Sequence, residues 1–270
     1  MGKIIALANQ KGGVGKTTTG INLAASLAAC NRRVLLIDLD PQGNATMGSG
    51  IDKNALQSSS YEVLMGQATV AEAAVETRSK RFFVLPGNSD LTAAEVELMQ
   101  REDRESRLRA ALEPVRDHYD YILIDCPPAL NMLTVNALVA AHSVLIPMQC
   151  EYYALEGLSA LLSTIDKIRE AHNRTLSIEG LLRTMFDQRN NLANDVAAQL
   201  TQHFGDQVYA TVIPRNVRLA EAPSHGLPAL VYDRASRGAL AYLALAGEMI
   251  KKDAGLAGAA NEAASGAAVY

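Results

Sequence analysis

The chain has 270 residues and a formal net charge of −4, with apolar residues making up 49% and charged residues 20% of it. This composition is that of an ordinary globular domain with a sizeable core, and the slight acidity gives no overall sign of nucleic-acid binding. No apolar run reaches the roughly 20 residues that cross a bilayer, and the N-terminus does not resemble a signal peptide, so we expect a cytoplasmic protein.

The three cysteines, Cys30, Cys126 and Cys150, are widely spaced and form no C-x-x-C pair. Their spacing supports neither a zinc site nor a disulfide framework. We therefore expect three small, buried side chains in a reducing compartment.

Short apolar runs alternate along the chain with longer segments of helical period. The predicted strands are 3–8, 33–38, 81–87, 119–125, 143–148, 178–186 and 207–214. The predicted helices are 16–30, 91–113, 155–172, 192–204 and 236–252. Most of the strands are apolar on both faces, which is typical of a sheet covered on two sides. The alternation predicts an α/β fold with a doubly wound, mostly parallel sheet and helices on both faces.

Residues 1–252 are predicted to form one domain, because no internal linker or repeat interrupts the alternation. After Lys252 the chain becomes rich in Ala and Gly and almost uncharged. Such a segment buries too little apolar surface to order itself, so we expect 253–270 to be a disordered tail.

A glycine-rich segment, N-Q-K-G-G-V-G-K-T-T-T-G at residues 9–20, joins the first predicted strand to the first predicted helix. Phosphate-binding loops occur in this strand–loop–helix context, where loop amides and the positive end of the helix dipole face the phosphates. We expect Lys16 to reach the β- and γ-phosphates and the Thr17 hydroxyl to ligate Mg²⁺. The residues expected to surround the nucleotide phosphates are Gly12, Gly13, Val14, Gly15, Lys16, Thr17 and Thr18.

The loop departs from the ordinary pattern G-x-x-x-x-G-K-[ST] at its first position. Gln10 stands where that pattern has glycine, and a second lysine, Lys11, follows it. One lysine is enough for a phosphate loop, so Lys11 needs a separate explanation.

Carboxylates follow two of the predicted strands. Asp38 and Asp40 lie at and just after the end of the second strand. Asp125 follows four apolar residues, as the Walker B carboxylate that supports Mg²⁺ does. Because the carboxyl ends of parallel strands meet at one edge of a sheet, these groups are expected beside the phosphate loop. The alternative is that each caps a following helix, and the pattern alone does not separate Asp38 from Asp40.

Four motifs in order resemble the ParA/Soj group of chromosome- and plasmid-partitioning ATPases, a P-loop family of the deviant Walker A class. They are KGGVGKTT, DLDPQGNAT, DCPPALNMLTVNAL and IPRNVRLAEAPSHGLP, and the likeness runs from residue 3 to about residue 250. The resemblance implies ATP and Mg²⁺ as cofactors. It also implies slow hydrolysis of ATP to ADP and phosphate, stimulated by a ParB-type partner.

The same resemblance assigns roles to individual residues. It implies that Lys11 reaches across an ATP-bound homodimer to the phosphate held by the partner, like an arginine finger supplied in trans. Asp40 would position the attacking water, and Asp38 would lie nearer the loop and Mg²⁺. Pro214 and Asn216 would hold the adenine.

The resemblance further implies nonspecific DNA binding by the ATP dimer, and thus association with the nucleoid. Arg189 and Arg218 correspond to arginines that contact DNA in the family, although the local charge balance does not support this independently. Ala129 and Asn131 depart from residues common in relatives, Ser and Gly, and could alter dimer or partner contacts.

Three alternatives stay open at the level of sequence. A MinD-like membrane-associated regulator would need a basic amphipathic C-terminal helix, and no basic residue follows Lys252. A redox protein like the nitrogenase iron protein would need two cluster cysteines, but Cys126 lies within the strand-end motif. A ParA-like ATPase that positions a protein cargo would use the same chemistry, so the sequence does not exclude it.

Overall fold

The computed structural model describes residues 2–266 of the chain, and the side chains of residues 2–255. Seven strands form its sheet: β1 (Lys3–Leu7), β2 (Val34–Asp38), β3 (Val75–Glu76), β4 (Phe82–Leu85), β5 (Tyr121–Asp125), β6 (Ser143–Met148) and β7 (Ser177–Arg183). Their order across the sheet is β3-β4-β2-β5-β1-β6-β7. All neighbouring pairs are parallel except β3 with β4, which is antiparallel.

Twelve α-helices connect or follow these strands in the described part of the chain. The first six are α1 (Lys16–Ala29), α2 (Asn44–Gly48), α3 (Ser60–Met65), α4 (Val70–Ala73), α5 (Leu91–Leu98) and α6 (Arg107–Leu112). The others are α7 (Met132–Ala140), α8 (Ala154–Ala171), α9 (Asn191–Phe204), α10 (Val217–Glu221), α11 (Ala229–Tyr232) and α12 (Arg237–Gly266). Short 3₁₀ turns follow α6, α9 and α10.

The sheet separates two apolar clusters, one on each face. Residues of α1 and α12 cover one face, where Leu27 and Leu245 are fully buried. Residues of α5, α7 and α8 pack on the other, with Leu98 and Ile165 fully buried. Because both faces are covered, the central strands are apolar throughout, and β2 and β5 are buried at every position. The predicted doubly wound α/β fold is therefore confirmed.

The predicted strand at 207–214 is wrong. This segment forms only two isolated parallel bridges, Leu181 with Val208 and Phe186 with Pro214. Side chains take the hydrogen bonds that a ladder would use: the Glu248 carboxylate accepts from the amides of Ala210 and Thr211 at 2.8 and 2.9 Å. Pro214 itself has no amide hydrogen to donate.

Two further expectations about the elements need correction. The predicted helix at 91–113 is interrupted between α5 and α6 by residues 99–106. The two-residue strand β3 has no counterpart in the prediction, because an exposed pair of residues carries no apolar pattern.

The helix α12 continues past residue 252, where the disordered tail was expected to begin. Its Asp253 accepts hydrogen bonds from the ammonium of Lys3 and the hydroxyl of Tyr121, both at 2.6 Å. The helix and these two contacts of Asp253 thus continue beyond residue 252, and the expected disorder of 253–270 stays a prediction. Residues 267–270 of the expected tail lie outside the described residues.

Candidate functional site

The glycine-rich loop follows β1 at the centre of the sheet and leads directly into α1. Gly13 and Gly15 have φ of 72° and 88°, which is the left-handed region that glycine enters without strain. The first turn of α1 has no side-chain cap and no acidic residue. Its amides therefore need an external acceptor, and the helix dipole favours an anionic one.

Side chains from two other strands hold this loop in place. The hydroxyl of Thr184, just after β7, donates to the carbonyl of Val14 at 2.7 Å. The side-chain amide of Gln149, just after β6, donates to the carbonyl of Gly13 at 3.2 Å. These bonds satisfy two loop carbonyls and join the loop to the residues that follow β6 and β7. The sequence analysis did not find Thr184 or Gln149.

Lys16 folds back over its own loop. Its ammonium donates to the carbonyls of Asn9 at 3.0 Å and Lys11 at 3.3 Å, and its residue is only 6% exposed. Burial lowers the pKa of Lys16, and the negative charges near Asp125 and Asp40 partly oppose that effect. The ammonium is thus poised beside the loop and close to two of the expected acidic residues.

Asp38 and Asp125 lie side by side, because β2 and β5 are parallel and these two residues are paired in register. Both are completely buried. The Asp38 carboxylate accepts from the amide and hydroxyl of Thr46, at 2.8 and 2.7 Å, and from the amide of Asp40 at 3.2 Å. Burial nevertheless raises the pKa of Asp38 to about 6.

Asp125 is the less satisfied of the two carboxylates. Neither of its oxygens has a hydrogen bond of normal geometry among the described residues, although Thr17 lies close enough to favour the ionised form. Burial, followed by the charge of Asp38, raises the pKa of Asp125 well above its usual range. A buried carboxylate without a partner is costly unless a cation approaches it.

The donors at this edge of the sheet fit Mg²⁺. No group of three or more acidic, histidine or cysteine side chains that could enclose a metal occurs in the described part of the chain. Mg²⁺ beside a nucleotide does not require one, because it takes one or two protein ligands and completes its shell with phosphate oxygens and water.

Asp40 lies at the end of the β2 motif and is partly exposed. Its carboxylate accepts a hydrogen bond from the amide of Gln42 at 2.9 Å. Its negative charge acts to raise the pKa of Lys16. Unlike Asp38, it is not enclosed by hydrogen bonds. The structure therefore separates the two aspartates, which the sequence pattern alone did not.

Lys11 has its ion-pair partner outside its own loop. Its ammonium pairs with the Glu151 carboxylate at 2.5 Å, and the two side chains are 49% and 47% exposed. The next residues, Tyr152 and Tyr153, are 75% and 70% exposed and pack edge to face on each other. Lys11 therefore lies on an exposed surface with two aromatic rings, and sequence reasoning did not identify Glu151.

The two expected adenine residues are close in sequence but have different surroundings. Pro214 lines a surface cavity of about 410 Å³ together with Phe186. The side-chain oxygen of Asn216 caps α10 by accepting from the amide of Leu219 at 3.3 Å. Its side-chain NH₂ donates to no other described residue.

The two expected DNA contacts both carry acidic partners. Arg189 is 89% exposed and forms a two-point contact with Asp187, whose pKa this contact lowers to about 2. Arg218 pairs with Glu221 at 2.7 Å and with Asp233 at 3.2 Å. Arg215 and Arg237, which line the same cavity as Arg189, have no ion pair among the described residues.

Comparisons with known proteins agree with this geometry. Residues 2–178 match the family model of an AAA domain. The chain is 53% identical to the chromosome partitioning protein ParA of Caulobacter vibrioides, over 93% of this chain and 95% of that protein. It is 55% identical to the sporulation initiation inhibitor protein Soj of Bacillus subtilis, over 92% of this chain and 98% of that protein.

The chain belongs to the ParA/Soj family. The expected resemblance is confirmed, and with it the P-loop NTPase class of the fold.

Solved structures show the same fold. Cobyrinic acid a,c-diamide synthase of Mycobacterium smegmatis, with bound ADP and magnesium, superposes with a TM-score of 0.80 and 39% identity, covering 92% of this chain and 93% of that one. The cell division ATPase MinD of Pyrococcus furiosus follows with a TM-score of 0.75 and 28% identity, covering 93% and 99%. Among the described residues of this ParA/Soj-family chain, no helix could span a membrane.

Proposed function

We propose that this chain is an ATP-dependent, dimerising switch for chromosome or plasmid partitioning, and that it hydrolyses ATP slowly on its own. In this proposal the ATP dimer binds DNA nonspecifically at the nucleoid, and a ParB-type partner stimulates hydrolysis and release. One observation carries it most directly. An uncapped helix start and a braced glycine loop lie beside two buried carboxylates, in a chain that shares about half of its residues with partitioning proteins.

The phosphates of ATP are assigned to the loop from Gly12 to Thr18. Loop amides and the start of α1 would accept the negative charge, and the Lys16 ammonium would exchange its two carbonyl contacts for phosphate oxygens. Mg²⁺ would be held by Thr17 and supported by Asp38 and Asp125, and it supplies positive charge to the phosphate oxygens.

Hydrolysis needs a positioned water and additional positive charge on the phosphoryl group. Asp40 is the acidic residue best placed for the water, because it is near Lys16 and only lightly constrained. Lys11 is assigned to the nucleotide of the second subunit, since its side chain is half exposed and pairs with Glu151 outside the loop. An exposed ion pair of this kind contributes only about 0–1 kcal/mol, so dimer contact can replace Glu151 as its partner.

DNA binding is assigned to the surface that carries Arg189, and to Arg218. Both guanidiniums are paired with carboxylates on the surface, so a phosphate must compete with an acidic neighbour at each position. Such contacts are independent of base sequence and weaken steeply with salt, because counterions are released from the DNA.

DNA retention in the presence of different nucleotides tests this function. The wild type is compared with Arg189→Glu and with a matched control, Arg78→Glu, which changes an exposed arginine near the β3 edge of the sheet. We expect retention with ATP or a non-hydrolysable analogue, little with ADP, loss in Arg189→Glu, and no change in the control. Retention that is indifferent to the nucleotide and to Arg189→Glu would contradict the proposal.

A further inference from the structure

A second group of basic side chains surrounds a cavity of about 300 Å³. This cavity lies at the amino ends of the strands, whereas the glycine-rich loop lies at their carboxyl ends. The cavity opens among the end of α6, the residues just before β6 and the residues just before β7. We call it the basic cavity and define it by the ionisable side chains that line it: Arg109, Arg116, Arg174, His142, His172 and Glu113.

The basic cavity is separate from the candidate nucleotide site. It lies at the amino ends of β6 and β7 and beside Ile4, whereas the glycine-rich loop leaves the carboxyl end of β1. A strand rises about 3.3 Å per residue, so the five residues of β1 place the two sites on opposite edges of the sheet, roughly 17 Å apart.

The lining of this cavity carries more positive than negative charge. Glu113 is its one acidic side chain among the described residues, and it pairs with Arg116 at 3.1 Å while remaining 62% exposed. Arg174 is exposed and makes no hydrogen bond or ion pair with any described residue. At least one full positive charge is therefore without a protein partner.

The helix ends beneath the cavity do not cancel this charge. The carboxyl ends of α7 and α8 point here, and free carbonyls at such ends repel anions. Arg109 already donates to the carbonyls of Val139 and His172, and the Asn173 side-chain amide donates to those of Leu138, Val139 and Ala141. These carbonyls are therefore occupied, and they do not need a bound cation.

His142 adds a directed hydrogen-bond donor to the same cavity. Its Nδ1 accepts from the amide of Ile4 at 2.9 Å, which fixes the neutral ring with its proton on Nε2. Burial lowers the pKa of His142, and the charges of Arg116, Lys3 and Arg109 lower it further. Lys3 is itself paired with Glu179 and Asp253, and Arg116 with Glu113, so Arg109 is the one of these three that has no ion pair among the described residues.

We propose that the basic cavity binds a small phosphorylated anion with at least two negative charges, at a site distinct from that of the nucleotide hydrolysed at the glycine-rich loop. Arg174 and Arg116 would neutralise its charge, and His142 would donate from Nε2. Guanidinium groups suit this ligand, because their planar donors match two phosphate oxygens at once. The cavity is large enough for a diphosphate group.

The test uses pyrophosphate as the probe and the ring of His142 as the reporter. The full chain is titrated by histidine-selective NMR with and without about 10 mM pyrophosphate, at ionic strength matched with potassium chloride. His142→Gln assigns the signal among the five histidines. We expect pyrophosphate to raise the pKa of His142, because a nearby anion favours the charged ring.

Variants then separate this site from the glycine-rich loop. Arg174→Ala and Arg116→Ala are each expected to reduce the pyrophosphate-induced rise in the pKa of His142 by about fivefold or more, because each removes a positive charge that would contact the anion. Arg78→Ala, which lies next to β3 at the other end of the strand order from β7, should leave the effect of pyrophosphate on His142 unchanged. Orthophosphate and ADP as parallel probes distinguish a requirement for a diphosphate from one for a nucleoside.

Three results would overturn the proposal. The first is an identical His142 titration with pyrophosphate and with potassium chloride. The second is an effect that survives in both Arg174→Ala and Arg116→Ala, and the third is one that is lost in Lys16→Ala, because that would place the bound anion at the glycine-rich loop. Failure here leaves the proposed partitioning function intact, since DNA retention does not depend on this cavity.

Discussion

At the scale of single residues, the buried ammonium of Lys16 is expected to be required for tight binding of ATP. Lys16→Ala removes the only buried ammonium beside the loop in the described chain, so we expect ATP affinity to fall by at least about tenfold, which corresponds to 1.4 kcal/mol. Calorimetric titration with Mg-ATP measures this. Lys80→Ala, an exposed lysine between β3 and β4, is the matched control and should bind as the wild type does. Wild-type affinity in Lys16→Ala would remove this lysine from the nucleotide site.

The carboxylate of Asp40 is expected to be required for the hydrolysis of ATP and not for its binding. Asp40→Ala should still bind ATP but slow its hydrolysis by about 100-fold or more, because the water loses its orienting group. An ATP dimer that stays on DNA should accumulate. Phosphate release and DNA retention are measured together, with the exposed Asp206→Ala as control. Normal turnover in Asp40→Ala would mean that another group positions the water.

The sequence predicted the phosphate loop and the strand-end carboxylates because each is encoded locally, by a motif or by the end of an apolar run. Thr184, Gln149 and Glu151 were missed for the opposite reason. Each contacts the loop from a distant part of the chain, and a single polar residue after a strand has no pattern of its own. The roles of Lys11, Asp40, Pro214, Asn216, Arg189 and Arg218 came from the family resemblance. The roles of all the site residues remain predictions.

At the scale of elements, a polar cluster fastens the last helix to the sheet. Lys3 bridges Glu179 in β7 and Asp253 in α12, and Tyr121 in β5 donates to the same aspartate. Asp253→Ala should lower the free energy of unfolding by about 1–2 kcal/mol, because two partly buried donors lose their acceptor. Urea unfolding measures this, and Lys251→Ala on the exposed side of α12 is the control. Equal stability of Asp253→Ala and wild type would mean that α12 is not held at this point.

The contact of β1 with His142 predicts a dependence of stability on pH. The folded pKa of His142 lies below the ordinary value of 6.5, so the folded state binds fewer protons than the unfolded state in this range. Its contribution to stability is present above pH 6.5 and is lost as the pH falls towards the folded pKa.

Unfolding by urea between about pH 7.5 and 5.5 should therefore show a smaller loss of stability for His142→Asn than for the wild type. Asparagine can still accept from the Ile4 amide but does not titrate. His203→Gln, which changes an exposed histidine on α9, should follow the wild type. A wild-type slope in His142→Asn would contradict the assignment.

The alternation of strands and helices was predictable because apolar runs and helical period reflect burial directly. The segment 207–214 was not, since its apolar residues are buried without a ladder, through contacts with Glu248 and Arg183 that lie elsewhere in the chain. The two hydrogen bonds of Asp253 were also not predictable, because their partners are more than 130 residues away in the chain.

At the scale of the whole molecule, the assignment of Lys11 predicts complementation between subunits. Lys11→Ala and Asp40→Ala should each hydrolyse little ATP alone. In a mixed dimer, the Lys11→Ala subunit keeps its own Asp40 and receives Lys11 from its partner, so one of the two sites is complete. With random pairing, half of the dimers are mixed, and about a quarter of wild-type activity should return.

Phosphate release from equal mixtures in the presence of DNA measures this recovery. Mixing Lys11→Ala with Lys16→Ala does not serve as well, because the second variant is expected to lose its nucleotide. No recovery in a mixture that forms mixed dimers would mean that Lys11 acts on the nucleotide of its own subunit.

The bond from Thr184 to the carbonyl of Val14 has a consequence for how the two ends of the proposed cycle are connected. Only five positions separate Thr184 from Arg189, and between them Phe186 is tied to Ile213 and Pro214. If the loop moves farther than the Thr184–Val14 hydrogen bond can stretch, either this bond breaks or segment 184–189 moves with the loop. We therefore expect that binding of a nucleotide at the loop changes the position of Arg189.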